Sequence, residues 1–282
     1  MAKKNILVVN AIGGLGNRIR TIAACNGLAA LTNRRLKVIW RNNSDVAADF
    51  TDIFMPLPDE IELRQPGGME YALLWQIPRK KNLYLSSLTQ HLRFSKTFSD
   101  NFDLGRLGSF GENLFKEIKN CNGNILISSG CGAEFGIDEQ IRSLFFPSQN
   151  VESLVRKNTE KFNHDTIGVH IRRTDNRLSI YKSPLHLFSE EMRKIIDIKP
   201  GTNFFLATDD RNVMENFVKE FGSRIICGDN NASRTSREGI IRGAADMWSL
   251  SKTSMILGSF YSSFSEIAAT LGNIPLRVLK TD

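Results

Sequence analysis

The sequence predicts an α/β protein built as two Rossmann-like domains facing a central cleft. Three observations predict it. Short apolar runs recur through both halves of the chain, as fully buried parallel strands require. Each run is followed by a turn and then by apolar residues at helical spacing. The first run ends on glycines, as a strand-to-helix turn in such a sheet does. With 282 residues, 41% of them hydrophobic, the chain can fill one large core or two modest ones.

In order, Asn5-Ile6-Leu7-Val8-Val9-Asn10 is the first strand, closed by Gly13-Gly14-Leu15-Gly16-Asn17. Ile19, Ile22, Ala23, Leu28 and Leu31 then repeat as on one helix face, and Leu36-Lys37-Val38-Ile39-Trp40 is a second strand. Residues 45–120 read only as loops with occasional helix or strand, and Asn124 to Ser129 is again a strand. From residue 151 the alternation is clear. Val151 to Phe162 is a helix, Thr166 to Ile171 a strand, Pro184 to Ile198 a helix with proline in its first turn, and Asn203 to Thr208 a strand. A helix near 211–221, a strand at 224–227, a helix near 238–251, a strand at 254–257, a helix from about 264 to 271 and a last run from Pro275 to Leu279 complete the array. The expected division is 1–160 and 161–282, with the boundary in the charged segment Arg156 to Asp165.

Composition narrows the function classes. The N-terminal apolar run is too short for a membrane span and lacks a small-residue cleavage site, so a cytoplasmic protein is expected. Cys25, Cys121, Cys131 and Cys227 have no C-x-x-C spacing, which argues against a disulfide framework or a zinc site. The net charge of +7 favours an anionic partner without choosing among nucleic acid, lipid and nucleotide.

Ligands of open α/β sheets bind beyond the carboxyl ends of strands. Here those ends carry GGLGN, RRTDN, Asp209-Asp210, Gly228-Asp229-Asn230-Asn231 and GSFYSSFSE. Most have a plain structural reading. The glycine turn lacks the full dinucleotide fingerprint, and Asn17 reads equally as an N-cap. Ser262-Ser263-Phe264-Ser265-Glu266 reads as a capping box or as an anion site made of free backbone N–H groups. One of Asp209 and Asp210 reads as a helix cap, and Asp246 falls in a helix where a solvated carboxylate is the default. The segment His170-Ile171-Arg172-Arg173-Thr174-Asp175-Asn176 differs. Adjacent arginines at the end of a central strand repel each other unless an anion lies between them, and a diphosphate supplies one. Guanidinium forks bind phosphate oxygens bidentately, and in a dry cleft each such donor offsets leaving-group charge by roughly 3 kcal/mol.

His170-Ile171-Arg172-Arg173-Thr174-Asp175 resembles the H-x-R-R-x-D motif of the α1,6-, α1,2- and protein O-fucosyltransferase superfamily, nearest to the α1,6 and nodulation branch. Gly13 to Asn17 is similar to that superfamily's first glycine loop, Phe205 to Asp210 to its second motif, and Asp246 through Ser262-Ser263-Phe264-Ser265 to its third. The resemblance implies a GT-B architecture and inverting, metal-independent transfer of L-fucose from GDP-fucose to a glycan acceptor. It implies that Arg172 holds the β-phosphate, that His170 and Arg173 shape that site, and that Asp175 orients the arginines or the acceptor. It implies further that Asp246 pairs with the guanine donors, that Ser262, Ser263 and the Phe264 backbone hold phosphate, and that Gly14 and Asn17 close the pocket from the first domain. The absence of any D-x-D signature agrees with metal independence.

The chain departs from the α1,6 pattern after Asp175. Asn176 stands where those enzymes have a basic residue, and the glutamate proposed there as general base is missing, leaving Glu134 or Asp175 to take the acceptor proton. Tyr181, Lys182 and His186 are candidate acceptor contacts. The expected partners are a nucleotide-sugar donor and an oligosaccharide or lipid-linked glycan acceptor, with no nucleic acid. Arg79-Lys80-Lys81 is a candidate patch for the inner face of a membrane. Two alternatives remain: a transferase using another donor such as GDP-mannose, which would satisfy Asp246 equally, and a non-catalytic nucleotide- or polyanion-binding protein.

Overall fold

The computed structural model describes residues 5–99, 112–130, 137–174, 176–228 and 235–281. The chain divides into two compact units, residues 1–51 with 55–146, and residues 52–54 with 147–282. The division thus falls at Phe146 and Pro147 and not within 156–165. The helix Gln149–Thr159, expected to close the N-terminal domain, packs on the helix Arg237–Leu250 of the second unit, where Asn158 donates from Nδ2 to Ser249 Oγ at 3.0 Å.

The first unit is a five-stranded parallel sheet in the order β3-β2-β1-β5-β4. Its strands are β1 (Ile6–Ala11), β2 (Arg35–Ile39), β3 (Glu62–Arg64), β4 (Lys96–Ser99) and β5 (Ile125–Ser129). β1 is central, pairing with β2 on one side and β5 on the other, and is buried almost throughout because helices cover both faces of such a sheet. The segment 45–120 contributes the two edge strands, β3 and β4. The helix Leu15–Leu31 follows β1, with Gly13 at φ 77° making the turn.

The second unit repeats the plan in the order β10-β9-β6-β7-β8, all parallel. Its strands are β6 (Ile167–Ile171), β7 (Phe204–Thr208), β8 (Ile225–Ile226), β9 (Ile256–Ser259) and β10 (Leu276–Leu279). Val169, Ile171, Phe188, Met192, Phe204, Leu206 and Phe217 belong to one of its cores. Gly168 in β6 has no room for a side chain, since a Cβ there would lie 2.8 Å from Leu250 Cδ2 and 2.9 Å from Thr253 Oγ1. β6 comes first in the unit and is flanked by β7 and β9, so the strand order reverses between β6 and β9, where open sheets form their crevice.

Residues Asp52–Phe54 belong to this unit. Ser148 N donates to Ile53 O at 2.9 Å and Ser148 Oγ to Asp52 O at 2.8 Å. Arg237 pairs with Asp52 at 2.5 Å, and Phe54 meets Trp248 edge-on with ring centroids 5.8 Å apart.

Candidate functional site

At the carboxyl end of β6 the chain turns out of the sheet through Arg172, Arg173 and Thr174, and this turn is fixed from both sides. On the β9 side, Arg172 N donates to Ser259 Oγ at 3.1 Å, and Ser259 Oγ donates in turn to His170 O at 3.3 Å. On the β7 side, Asp209 accepts from Arg173 N at 2.6 Å, from Thr174 N at 3.3 Å and from Thr174 Oγ1 at 2.7 Å. Burial alone would raise the Asp209 carboxyl. The Thr174 hydroxyl, the Arg173 and Thr174 backbone N–H groups and the nearby His170 hold it below the ordinary value. Asp210 takes the other role, accepting from Asn212 N at 2.9 Å and Val213 N at 3.3 Å as the cap of the helix Arg211–Phe221.

The two arginines are held differently. Arg173 folds back on its own loop, with Nη2 donating to Ser183 O at 2.6 Å and Nη1 to Arg172 O at 3.3 Å. Its pKa is lowered by burial, against the opposing pull of Asp209 and Asp210. Ser183 joins three strand ends: its carbonyl takes Arg173, its Oγ donates to Leu279 O at the end of β10, and the same Oγ accepts from Phe260 N at 2.8 Å just past β9. Arg172 is half-buried on the β9 side of the turn.

The imidazole of His170 stacks on Phe264, centroids 4.7 Å apart and planes inclined by 23°. Phe264 opens the helix Ser263–Gly272, so the strand end and this helix start share one packing contact. Ser262 is the N-cap residue, but its side chain caps nothing. Its Oγ, in a residue only 3% exposed, has no hydrogen-bond partner among the described residues. Glu266 falls one position beyond the place a capping box requires. Among the described residues, therefore, the Ser262 side chain leaves the first N–H groups and the positive end of the helix dipole uncapped. Tyr261, immediately before, is left-handed at φ 54°, and its carbonyl accepts from Asn176 Nδ2 at 3.0 Å. Asn176 also caps the helix Arg177–Lys182 by accepting from Ser179 N at 3.0 Å.

Asp246 lies on the helix Arg237–Leu250 with little exposure, and burial pushes its carboxyl up to about 7, with Arg242 acting in the opposite sense. Gly228, just past β8, is its neighbour: a Cβ there would come within 2.9 Å of Asp246 Oδ1 and 3.4 Å of the Asn158 amide. Among the described residues no donor hydrogen-bonds the Asp246 carboxyl.

Gly14 and Asn17 belong to the first unit, at the β1 turn, where Gly14 caps the helix Leu15–Leu31 without a side chain. Asn17 packs on Gly13 and Gly130, whose added Cβ atoms would meet it at 3.0 and 3.7 Å. Beneath it Arg18 is fully buried, donating to Gly13 O at 2.9 Å, Arg41 O at 2.6 Å and Asn43 Oδ1 at 2.7 Å, over the Trp40 ring at 4.7 Å. Burial lowers its pKa to about 10. Arg18 therefore sets the β1 turn that presents Gly14 and Asn17.

The second unit thus gathers His170, Arg172, Arg173, Ser262, Ser263 and Phe264 around the ends of β6 and β9, with Asp246 on a separate helix. Asp175 and Glu134 lie outside the described residues. Tyr181 is exposed, and the Lys182 carbonyl accepts from Thr281 N at 2.7 Å, which anchors the helix that carries both. Ser183 and Arg18 are framework residues that sequence reading passed over, because single polar residues beside turns carry no periodic signal; Asn176 and Ser259 lay in strand-end segments it singled out, without a framework role. Among the described residues no cluster of His, Cys, Asp and Glu is arranged to hold a metal ion, and no helix is long and apolar enough to cross a membrane.

No family model matches the chain, and no curated protein matches it by sequence. Solved structures do. NodZ alpha-1,6-fucosyltransferase co-crystallized with GDP superposes with a TM-score of 0.69 at 19% identity, covering 100% of this chain and 96% of that one. A mutant of Arabidopsis thaliana FUT1 in complex with GDP gives 0.64 at 18% identity, over 98% of this chain and 70% of that one. POFUT1 in complex with GDP gives 0.58 at 10% identity, over 99% of both. The chain has the GT-B-like fold of these fucosyltransferases.

Proposed function

We propose that the chain is an inverting, metal-independent glycosyltransferase that moves L-fucose from GDP-fucose to a glycan acceptor. The observation that carries the reading is the shared frame at the β6 and β9 ends: the Ser259 hydroxyl and the Asp209 clamp fix the Arg172–Thr174 turn, and the His170–Phe264 stack ties that strand end to a helix N-terminus that Ser262 does not cap. A guanidinium and free N–H groups at one strand crevice suit a diphosphate. The fold shared with fucosyltransferases bound to GDP supports the same reading.

In the reaction the acceptor hydroxyl oxygen attacks C1 of the sugar from the face opposite the phosphate. The new C–O bond forms as the bond from C1 to the β-phosphate oxygen breaks, and GDP leaves with the electron pair. Arg172 and the N–H groups of Ser263 and Phe264 offset the charge gathering on that phosphate, which is the contribution a positioned donor makes in the transition state. Arg173 acts through the loop, holding Arg172 in place. Asp246 accepts from the guanine N1 and N2 donors. Asp175 or Glu134 takes the acceptor proton.

Calorimetric titration with GDP, GDP-fucose, GDP-mannose and UDP, on the native chain and on Arg172→Ala, tests this. Binding of GDP and GDP-fucose in preference to UDP, lost in the variant, is expected. Equal affinity for UDP removes the role given to Asp246, and undiminished binding by Arg172→Ala removes the role given to the arginine. Tighter binding of GDP-mannose than of GDP-fucose moves the assignment to the other donor.

A further inference from the structure

The helix Leu85–Arg93 in the first unit is turned inside out. Ser86 and Gln90 are 0% and 3% exposed, whereas Leu88 and Leu92 are 67% and 79% exposed, with Leu85 beside them on the same outward face. The polar side is tied down: Gln90 Nε2 donates to Leu74 O at 3.1 Å and Gln76 O at 3.0 Å, and Thr89 Oγ1 donates to Leu73 O. Just before the helix, Leu83 and Tyr84 are both left-handed at φ 52°, a conformation neither residue favours, and both point outward. Leu73, in the turn on which this helix packs, is exposed as well, and so is Met69 in the turn before it.

Along the segment that carries this helix the charge has one sign. Residues 71–99 contain no aspartate or glutamate, and they carry Arg79, Lys80, Lys81, Arg93 and Lys96. Lys96 pairs with Glu117, and among the described residues Arg79, Lys80, Lys81 and Arg93 make no ion pair.

We propose that this face docks the first unit on an anionic lipid surface, with Leu83, Tyr84, Leu85, Leu88 and Leu92 entering the headgroup boundary and the basic residues meeting lipid phosphates. Exposed leucines on a helix flanked in sequence by unpaired lysines and arginines match an interface that is apolar inside and negative at its edge. A second copy of the chain on the same face would set Arg79, Lys80 and Lys81 against their own like charges, and a polyanion in water would leave the leucines unused. The proposal is independent of the nucleotide site.

Co-sedimentation with phosphatidylcholine vesicles, with and without phosphatidylglycerol, tests it. The chain is expected to pellet with the anionic vesicles, and far less with them at about 1 M salt, where charges are screened beyond about 3 Å. Leu88→Ser with Leu92→Ser abolishes binding while leaving the thermal midpoint unchanged, since both side chains are exposed. Replacing Arg79, Lys80 and Lys81 together by serine weakens partition roughly a hundredfold. Three results overturn the proposal: no partition into anionic vesicles, partition unchanged in the double serine variant, or a dimer in sedimentation that the double serine variant dissolves.

Discussion

His170 and Phe264, ninety-four positions apart in the chain, lie ring against ring at 4.7 Å, so the end of β6 and the start of the helix Ser263–Gly272 are set by one contact. Phe264→Leu keeps much of the buried area but loses the stack, and is expected to cost about 1 kcal/mol of stability. Donor binding should weaken at least as much, because the N–H groups and the Arg172 turn lose their common support. Thermal melts and GDP titration of the same variant check this. A large loss of stability with unchanged GDP affinity would separate the stack from the site.

The adjacent aspartates after β7 should behave differently. Asp209→Asn retains one acceptor oxygen for three donors, loosening the Arg173–Thr174 turn. A loss of about 2 kcal/mol in transition-state stabilisation is expected, read as kcat/KM for donor. Asp210→Ala removes a helix cap and a minor electrostatic pull on Arg173 but no hydrogen bond to the Arg173–Thr174 turn; it costs about 1 kcal/mol of stability and changes kcat/KM far less than Asp209→Asn does.

Asp246 makes nucleotide binding depend on pH. Its carboxyl titrates at about 7 in the free protein, and guanine donors require the ionised form. GDP affinity at pH 6 is therefore expected to be roughly tenfold weaker than at pH 8, a difference that Asp246→Asn abolishes along with tight binding. Stability runs the other way. The folded pKa is raised above the ordinary 3.8, so the folded state holds more protons between about 4 and 7 and loses stability as pH rises through that window. Asp246→Asn should raise the thermal midpoint at pH 8 and change it little at pH 4.

Gly228 tests the space above that carboxyl. A methyl group there meets Asp246 Oδ1 at 2.9 Å and the Asn158 amide at 3.4 Å, so Gly228→Ala should displace the carboxyl and cost about 1 kcal/mol of stability. GDP affinity should fall. If calorimetry finds it unchanged, the base does not approach Asp246 from the Gly228 side.

The strands that carry the site were legible because each is buried on both faces and written as an apolar run: Ile6 to Val9, Ile167 to Ile171 and Phe204 to Ala207. The arginine pair stood out because two adjacent cations at a strand end call for a partner, and for Arg173 the structure shows carbonyl partners, Ser183 O and Arg172 O. Other features left no such trace. β3 and β4 are short edge strands, and neither has a continuous apolar run. Arg18 sits among the apolar positions of its helix and reads as a solvated charge, although its three acceptors and the Trp40 face hold it in the core. The helix Leu85–Arg93 shows leucines at helical spacing, a pattern that ordinarily marks the buried face, and only the structure, through buried Ser86 and the hydrogen bonds of Thr89 and Gln90, reveals that this face points outward. Ser183 is one serine ahead of a proline, and two of its partners, Leu279 and Phe260, come from distant parts of the chain.

The placement of Asp52–Phe54 bears on how this protein can be cut. A fragment starting at Pro147 contains every strand of the second sheet, yet it lacks the carbonyls that receive Ser148, the carboxylate paired with Arg237 and the ring set against Trp248. A recombinant half made by truncation there would begin life with a gap beside Trp248, and a chimera joined at the same point would inherit its fit from the donor of the other half. The unit is a spatial whole without being a contiguous length of polypeptide.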